Sequence, residues 1–274
     1  MNKRAANTIA IGVLWAAACI TVATLGALLL YVFVNGISVI SPAFIFTWPH
    51  GVASEGGIWP TIVATVYVTA LAMIISTPIA VLAAVYLAEY AHQGRIVDTI
   101  RFAADSLASV PSIVMGLFGF ALFVEAMGLQ LSMISAALAL SLLMLPIIMR
   151  ATEEAIRAVP KYMRWGSYGL GATKWQTVSK IVLPAAAPRI ITGLVLAMGR
   201  AVGETAVVLY TMGQAVNLPI TPLDSGRPMT VHLYLLAIDG INLPTAFGTA
   251  LLLIVMILGF NLTARLVVRR YRKV

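Results

Sequence analysis

Charge is scarce in this chain. Only 10% of its 274 residues are charged, where a soluble domain carries about 25%. That is too little to clothe a water-facing surface, and 61% of the residues are hydrophobic, with a mean hydropathy of +0.97. Cysteine occurs once, as Cys19 in the first apolar run, which excludes a disulfide framework or a cysteine metal site and leaves a small packing residue. No Gly-Lys pair exists, so there is no G-x-x-x-x-G-K-[ST] phosphate loop; H-E-x-x-H and G-x-S-x-G are missing too. The chain has no visible means of hydrolysing a nucleotide. The alternating ten-residue segments of a membrane barrel are also absent. An integral membrane protein built from helices remains.

A helical span needs about 20 apolar residues to cross roughly 30 Å of hydrocarbon. Six segments qualify, at about 9–34, 60–86, 102–126, 130–149, 187–213 and 244–267. They are joined by 35–59, 87–101, a tight turn near Gly128, 150–186 and 214–243. The first run follows Lys3 and Arg4 and is too long for a signal-peptide core, so it reads as a retained helix. No internal repeat or low-complexity tract stands out, and residues 1–274 read as a single transmembrane domain.

The net charge of +8 reports orientation. With the N-terminus inside, the cytoplasmic side holds Lys3, Arg4, Arg95, Arg101, the basic residues of 150–189, and Arg265, Arg269, Arg270, Arg272 and Lys273. Of the 18 basic residues, Arg227 is then outside and Arg200 lies within a span, which leaves 16 inside. Nucleic acid drops out as a partner. The outer loops 35–59 and 214–243 are rich in turn residues, among them Pro42, Pro49, Gly51, Pro219, Pro222, Asp224, Pro228, Asp239 and Gly240. Trp48, Trp59 and Tyr234 suit the membrane–water boundary. His50 and His232 read as solvated loop residues, with a ligand role as the alternative.

The stretch from Arg150 to Arg189 is the longest polar interlude, and anchoring in a membrane does not require it. Pro160 suits a helix start. Tyr162, Trp165 and Tyr168 are spaced to share one face, with Met163 nearby and basic residues on the other side. Gly169 and Gly171 allow a sharp turn through positive φ, and a second short helix from about Thr173 to Val182 ends at Pro184. Two short helices bent about a glycine make a plug for a groove in a partner. The alternative is an amphipathic element lying on anionic lipid.

Gly171, Ile181 ten residues on, and Leu183-Pro184 resemble the cytoplasmic signature loop of ABC importer permeases. The signature's leading Glu-Ala-Ala falls on Trp165, Gly166 and Ser167, so the chain departs from the family there. The departure touches any salt bridge that the Glu makes in the loop and leaves the turn intact. Further segments are similar to the A-type permease subunit of phosphate-specific ABC importers. They are Gly57-Ile58-Trp59-Pro60-Thr61-Ile62, Tyr86-Leu87-Ala88-Glu89-Tyr90, Ser109 to Gly119, Leu145 to Arg150, Gly199 to Thr205 and Phe247 to Leu251. The resemblance runs from about residue 55 to 265.

It implies an all-α membrane protein with six transmembrane helices, the type I ABC importer permease architecture, and a cytoplasmic coupling-helix loop at 150–186. It implies ATPase coupling through Tyr162, Trp165, Gly166, Ser167, Gly169, Gly171, Ala172, Ile181, Leu183 and Pro184. The implied partners are a homodimeric ATPase subunit, a C-type permease completing a heterodimer, an extracytoplasmic phosphate-binding protein, inorganic phosphate and the lipid bilayer. No cofactor of its own is implied, since ATP is used by the ATPase. The implied location is the bacterial cytoplasmic (inner) membrane, with both termini cytoplasmic.

The membrane charges carry their own argument. Arg200 lies eleven residues past Arg189, about 16 Å along a helix and so near mid-bilayer. Glu204 follows at i+4 on the same face. Each charge costs about 2.5–3.5 kcal/mol at that depth, so both should face a protein interior or a water-filled path. Gly199 and Gly203 would let a neighbouring helix approach. Arg offers an anion a permanently charged, bidentate donor, and Thr205 and Ser112 complete a candidate substrate path. The alternative is a self-satisfied structural ion pair. Pro111 interrupts the third span and frees backbone groups that could line a cavity. Asp105 sits at i+4 from Arg101 as a boundary ion pair. Another oxyanion such as phosphonate or sulfate, an ion-coupled secondary transporter, and a non-transporting scaffold remain as alternatives.

Overall fold

The computed structural model describes residues 3–50, 55–92, 94–238 and 240–271; Gly51, Asp239, Arg272 and Lys273 lie outside them. The long apolar runs form helices because only intra-segment hydrogen bonding satisfies a backbone in hydrocarbon. Helix α1 (Lys3–Ile37) is followed by α2 (Pro42–Phe46) and a minimal hairpin of Pro49–His50 with Glu55–Gly56. Helix α3 (Trp59–Val85) continues into a π segment, Tyr86–Tyr90. Helix α4 (Arg95–Ser109) precedes α5 (Ser112–Gly119), which continues into a second π segment, Phe120–Ala126. Next come α6 (Met133–Arg157), α7 (Lys161–Gly169) and α8 (Lys174–Thr177), then a third π segment, Val178–Val182, that joins α8 to α9 (Leu183–Gly203). Helices α10 (Ala206–Met212), α11 (Met229–Ile238) and α12 (Leu243–Tyr271) complete the described chain.

The core lies where α3 packs along α6. Ala64, Ala72, Ala80 and Ala84 of α3 and Ala136, Ala137 and Ala139 of α6 are fully buried, or nearly so. Small residues let the two backbones approach where lipid offers no hydrophobic drive. Helix α9 closes on α6 in the same way: a Cβ on Gly193 would collide with Ala151. A second cluster of Val85, Ala155, Ile156, Val159, Val178 and Val182 sits beneath the 161–182 loop. Helix α1 is exposed along its whole apolar length and touches the body mainly through α12, where Tyr31 meets Phe247 edge-on. An apolar surface all round is what a helix against hydrocarbon needs.

Among the described residues, five helices are long and apolar enough to cross a membrane; a sixth span results if the bent pair α4–α5 is counted as one. That pair corrects the expected span 102–126. The chain turns through 100° at Val110-Pro111, and α4 is amphipathic, carrying Arg95, Asp98, Arg101 and Asp105. Proline at 111 removes an amide donor and pushes Val110 to extended backbone, so the helix cannot run through. The i+4 pair proposed for Asp105 does not form. Asp105 is gripped by both ends of the Arg150 fork, while Arg101 binds Glu153 and approaches Asp98. Two ion pairs therefore strap α4 across α6.

Helix α6 runs eight residues beyond the expected end at 149, so the polar interlude begins inside it. The expected loop 214–243 is partly ordered: residues 220–224 fold over the start of α6, where Met133 N–H bonds the Asp224 carbonyl and Ile134 N–H that of Pro222. It also contains α11, in which His232 is fully buried, not solvated, with no partner for either ring nitrogen among the described residues.

Candidate functional site

The expected fifth span, 187–213, is interrupted. Helix α9 stops at Gly203, Glu204 takes an extended conformation, and α10 begins at Ala206. Arg200 and Glu204 still pair, but the Nε–Oε1 separation is 3.6 Å, beyond a good hydrogen bond. Arg200 makes no other ion pair or hydrogen bond among the described residues, and its side chain is 46% exposed against 11% for Glu204. The contact leaves most of the guanidinium fork without a partner among the described residues.

The Ser112 hydroxyl is a near neighbour of the Glu204 carboxylate, without a hydrogen bond within 3.5 Å. The second break explains how. Helix α5 starts at Ser112, directly after the Pro111 bend, and neither α5 nor α10 has a side-chain cap. The two run side by side in the same direction, because Gly116 abuts Ala206 and Val207 while Gly119 abuts Thr211. Their starts, and with them Ser112, Glu204 and Thr205, are therefore brought together with Arg200. Thr230 of α11 adds a hydroxyl that donates to the Glu204 carbonyl at 3.0 Å. Gly199 and Gly203 meet nothing within 4 Å, so they mediate no close helix approach within this chain. Their small side faces flank the Arg200 opening.

The 161–182 loop is built by local rules. Helix α7 ends in a Schellman motif: Gly171 N–H bonds the Tyr168 carbonyl at 2.9 Å and Ala172 N–H bonds that of Ser167 at 3.2 Å. Gly171 makes the turn alone, with φ +80°; Gly169 is the last helical residue and does not adopt positive φ. Thr173 and Gln176 then form a reciprocal capping box at the start of α8. Ser167 is buried and shares a 2.9 Å hydroxyl bond with Thr177, which locks α7 to α8. Tyr162, Trp165 and Tyr168 are all exposed, with Trp165 at 67%, whereas Met163 packs into the cluster below. Leu170, 91% exposed, and Trp175 extend this aromatic surface. Ala172, Ile181 and Gly171 line a shallow depression beside it, and Gly166 adds no bulk.

One expectation changes here. The second loop helix does not end at Pro184; residues Lys174–Gly203 form one helical rod about 45 Å long. The π segment Val178–Val182, with its wider turn, lies directly before Leu183-Pro184 and accommodates the ring and missing amide of Pro184. The loop is thus mechanically continuous with Arg200 and the break at Glu204. On the basic side of α7, Lys161 is exposed while Arg164 turns inward to Glu89, 75 residues away in sequence.

The fold and the site together define a multi-span helical membrane protein with an exposed aromatic loop and a charged break in one span. Residues 76–273 match the family model of the binding-protein-dependent transport system inner membrane component, and the chain belongs to that family of ABC importer permeases, which are transport subunits and not enzymes. The probable ABC transporter permease protein YqgI of Bacillus subtilis is 37% identical over 97% of this chain and 96% of its own length. The phosphate transport system permease protein PstA 1 of Mycobacterium tuberculosis is 38% identical, over 80% of this chain and 75% of its own. The fold matches that of the inward-facing MetNI methionine ABC transporter, with a TM-score of 0.62 over 78% of this chain and 94% of that one, at 21% identity.

Proposed function

We propose that this chain is the transmembrane permease subunit of an ATP-driven importer of inorganic phosphate, forming the translocation path with a C-type permease subunit. The observation that carries the reading is the half-exposed Arg200, loosely held by Glu204 where two helix breaks converge. Phosphate carries one to two negative charges at neutral pH, and Arg binds such groups bidentately while staying protonated. Glu204 holds Arg200 when phosphate is absent and lowers the affinity enough for release. Ser112 and Thr205 offer hydroxyls to the oxyanion. Relatives that bear the name phosphate transport permease support phosphate over other oxyanions.

The exposed Tyr162, Trp165, Tyr168, Leu170 and Trp175 surface docks into a groove of a homodimeric ATPase. ATP is bound and hydrolysed there, and this chain uses no cofactor. A rigid loop continuous with α9 carries the ATPase movement to the charged break. Both termini and this loop face the cytoplasm, and an extracytoplasmic phosphate-binding protein delivers substrate to the opposite side.

The test is Arg200→Lys in the complete importer reconstituted in proteoliposomes. It keeps the charge and loses the fork; with a charged hydrogen bond worth about 1.5–3 kcal/mol, uptake should fall roughly ten- to 150-fold at subsaturating phosphate. Uptake unchanged by Arg200→Lys would overturn the assignment of the site. Uptake in vesicles lacking the ATPase would instead favour an ion-coupled secondary transporter.

A further inference from the structure

The docking loop has a second contact with the body of the protein, separate from its covalent path into α9. Arg164, in the middle of α7, donates from Nε and Nη2 to one oxygen of Glu89 at 3.0 and 2.6 Å. Its Nη1 donates to the Val159 carbonyl at 2.8 Å and its Nη2 also to the Ile156 carbonyl at 2.9 Å. Ile156 lies in the last turn of α6 and Val159 two residues past its end; the Ile156 carbonyl also accepts from Val159 N–H at 3.2 Å. The pair is largely buried, with side chains 15% and 8% exposed. One guanidinium therefore joins α7, the end of α6 and the end of α3.

The second loop helix reaches the same place. The Lys174 ammonium, at the start of α8, sits 4.9 Å from the centre of the Tyr90 ring. Glu89 and Tyr90 both belong to the π segment Tyr86–Tyr90, so each of the two loop helices grips the same five residues. That segment is closed by a bond from Ala91 N–H to the Tyr86 carbonyl at 2.8 Å. Its Ala88 and Tyr90 pack into the cluster that contains Val178 and Val182 of the π segment preceding α9. A π turn is a wound-in extra residue that an α-helix tolerates poorly and that marks functional positions.

We propose that the π segment Tyr86–Tyr90 is a second mechanical output of the docking loop: the Arg164–Glu89 pair and the Lys174–Tyr90 stack clamp α7 and α8 onto the end of α3. A displacement of the loop then drives two rods at once. One is α8–α9, which ends at Glu204. The other is α3, whose far end at Trp59 follows the hairpin and α2. Position 165 carries tryptophan where the permease signature has Glu, and here the carboxylate that holds the loop comes from Glu89 on another helix.

This inference rests on the ATPase-docking reading of the loop. The test uses the complete importer in proteoliposomes and reads ATP hydrolysed per phosphate accumulated, with co-purification of the ATPase and thermal stability as controls. Glu89→Gln removes the charge at constant size; Tyr90→Leu removes the ring. Each should raise the ATP-to-phosphate ratio roughly two- to thirtyfold while the ATPase stays bound. Arg164→Lys combined with Glu89→Gln should raise the ratio by less than the two single effects multiplied together, because both changes break the same ion pair. The clamp is refuted if both single variants assemble and transport at the native ratio. It is equally refuted if the ratio changes only in step with lost ATPase or lost stability. Gly171→Val in parallel separates the two readings. If it uncouples while Glu89→Gln and Tyr90→Leu do not, only the clamp fails; if none uncouples though the ATPase is bound, the docking reading fails with it.

Discussion

Gly116 offers the sharpest test of the convergence of α5 and α10. A Cβ added there would stand 2.9 Å from the Ala206 carbonyl oxygen, 3.0 Å from Cδ2 of Tyr210 and 3.2 Å from Cα of Val207. Carbon makes its best contacts at about 3.5–4.0 Å, so α10 must retreat by several tenths of an ångström. Two of the three obstacles are backbone atoms of a helix, which cannot swing aside as a side-chain tip can. Overpacking of this kind costs about 1–3 kcal/mol. In the detergent-solubilised importer, Gly116→Ala should therefore lower the midpoint of thermal unfolding by roughly 2–10 °C. The shift also displaces α10 relative to α5, and with them Glu204 relative to Ser112, so phosphate uptake should fall beyond what lost protein explains. Gly12→Ala, which meets nothing within 4 Å, is the control and should leave both unchanged. A Gly116→Ala protein that melts within about one degree of the parent and transports normally would refute the packing of the site.

Gly171→Val places a β-branched residue at φ +80°, where the Schellman turn needs glycine, and should uncouple ATP hydrolysis from uptake while the protein remains in the membrane; a native ATP-to-phosphate ratio would count against the loop assignment. Burial, reinforced by the charge of Arg227, lowers the pKa of His232 from 6.5 to about 4. The unfolded chain takes up a proton below pH 6.5 that the folded chain refuses until about pH 4, so stability is unaffected above 6.5 and falls between those limits by up to about 3 kcal/mol. His232→Leu should remove that part of the pH dependence, and identical melting-versus-pH curves for the two proteins would refute it.

Local signals were legible wherever a short stretch of chain decides its own structure. Gly171, Thr173 and Gln176 specify a turn and a cap that depend on neighbours within a few residues. Pro111 marks a break because it lacks an amide donor and drives Val110 to extended backbone, whereas Pro78, Pro146 and Pro188 are carried inside helices. Arg200 and Glu204 stand out because charge in an apolar run is costly wherever the helix packs. The break at Glu204 itself had no comparable marker, since Gly203 alone is tolerated in membrane helices. Helix α11 was hidden among prolines and polar residues that read as a loop.

The sequence by itself determined the class of the protein: too little charge for water, runs long enough to span, and a polar loop with a glycine turn. These follow from the cost of placing each residue in water or in hydrocarbon, a cost paid residue by residue. Only the tertiary structure decided which charges meet. Glu89 finds Arg164, and Asp105 finds Arg150 in place of Arg101. Such pairings depend on how close α3, α6 and α9 can approach, which their buried alanines and Gly193 set collectively. For the same reason, only the structure made the 161–182 loop part of a continuous rod that ends at Gly203, just past Arg200, and tied it a second time to the end of α3.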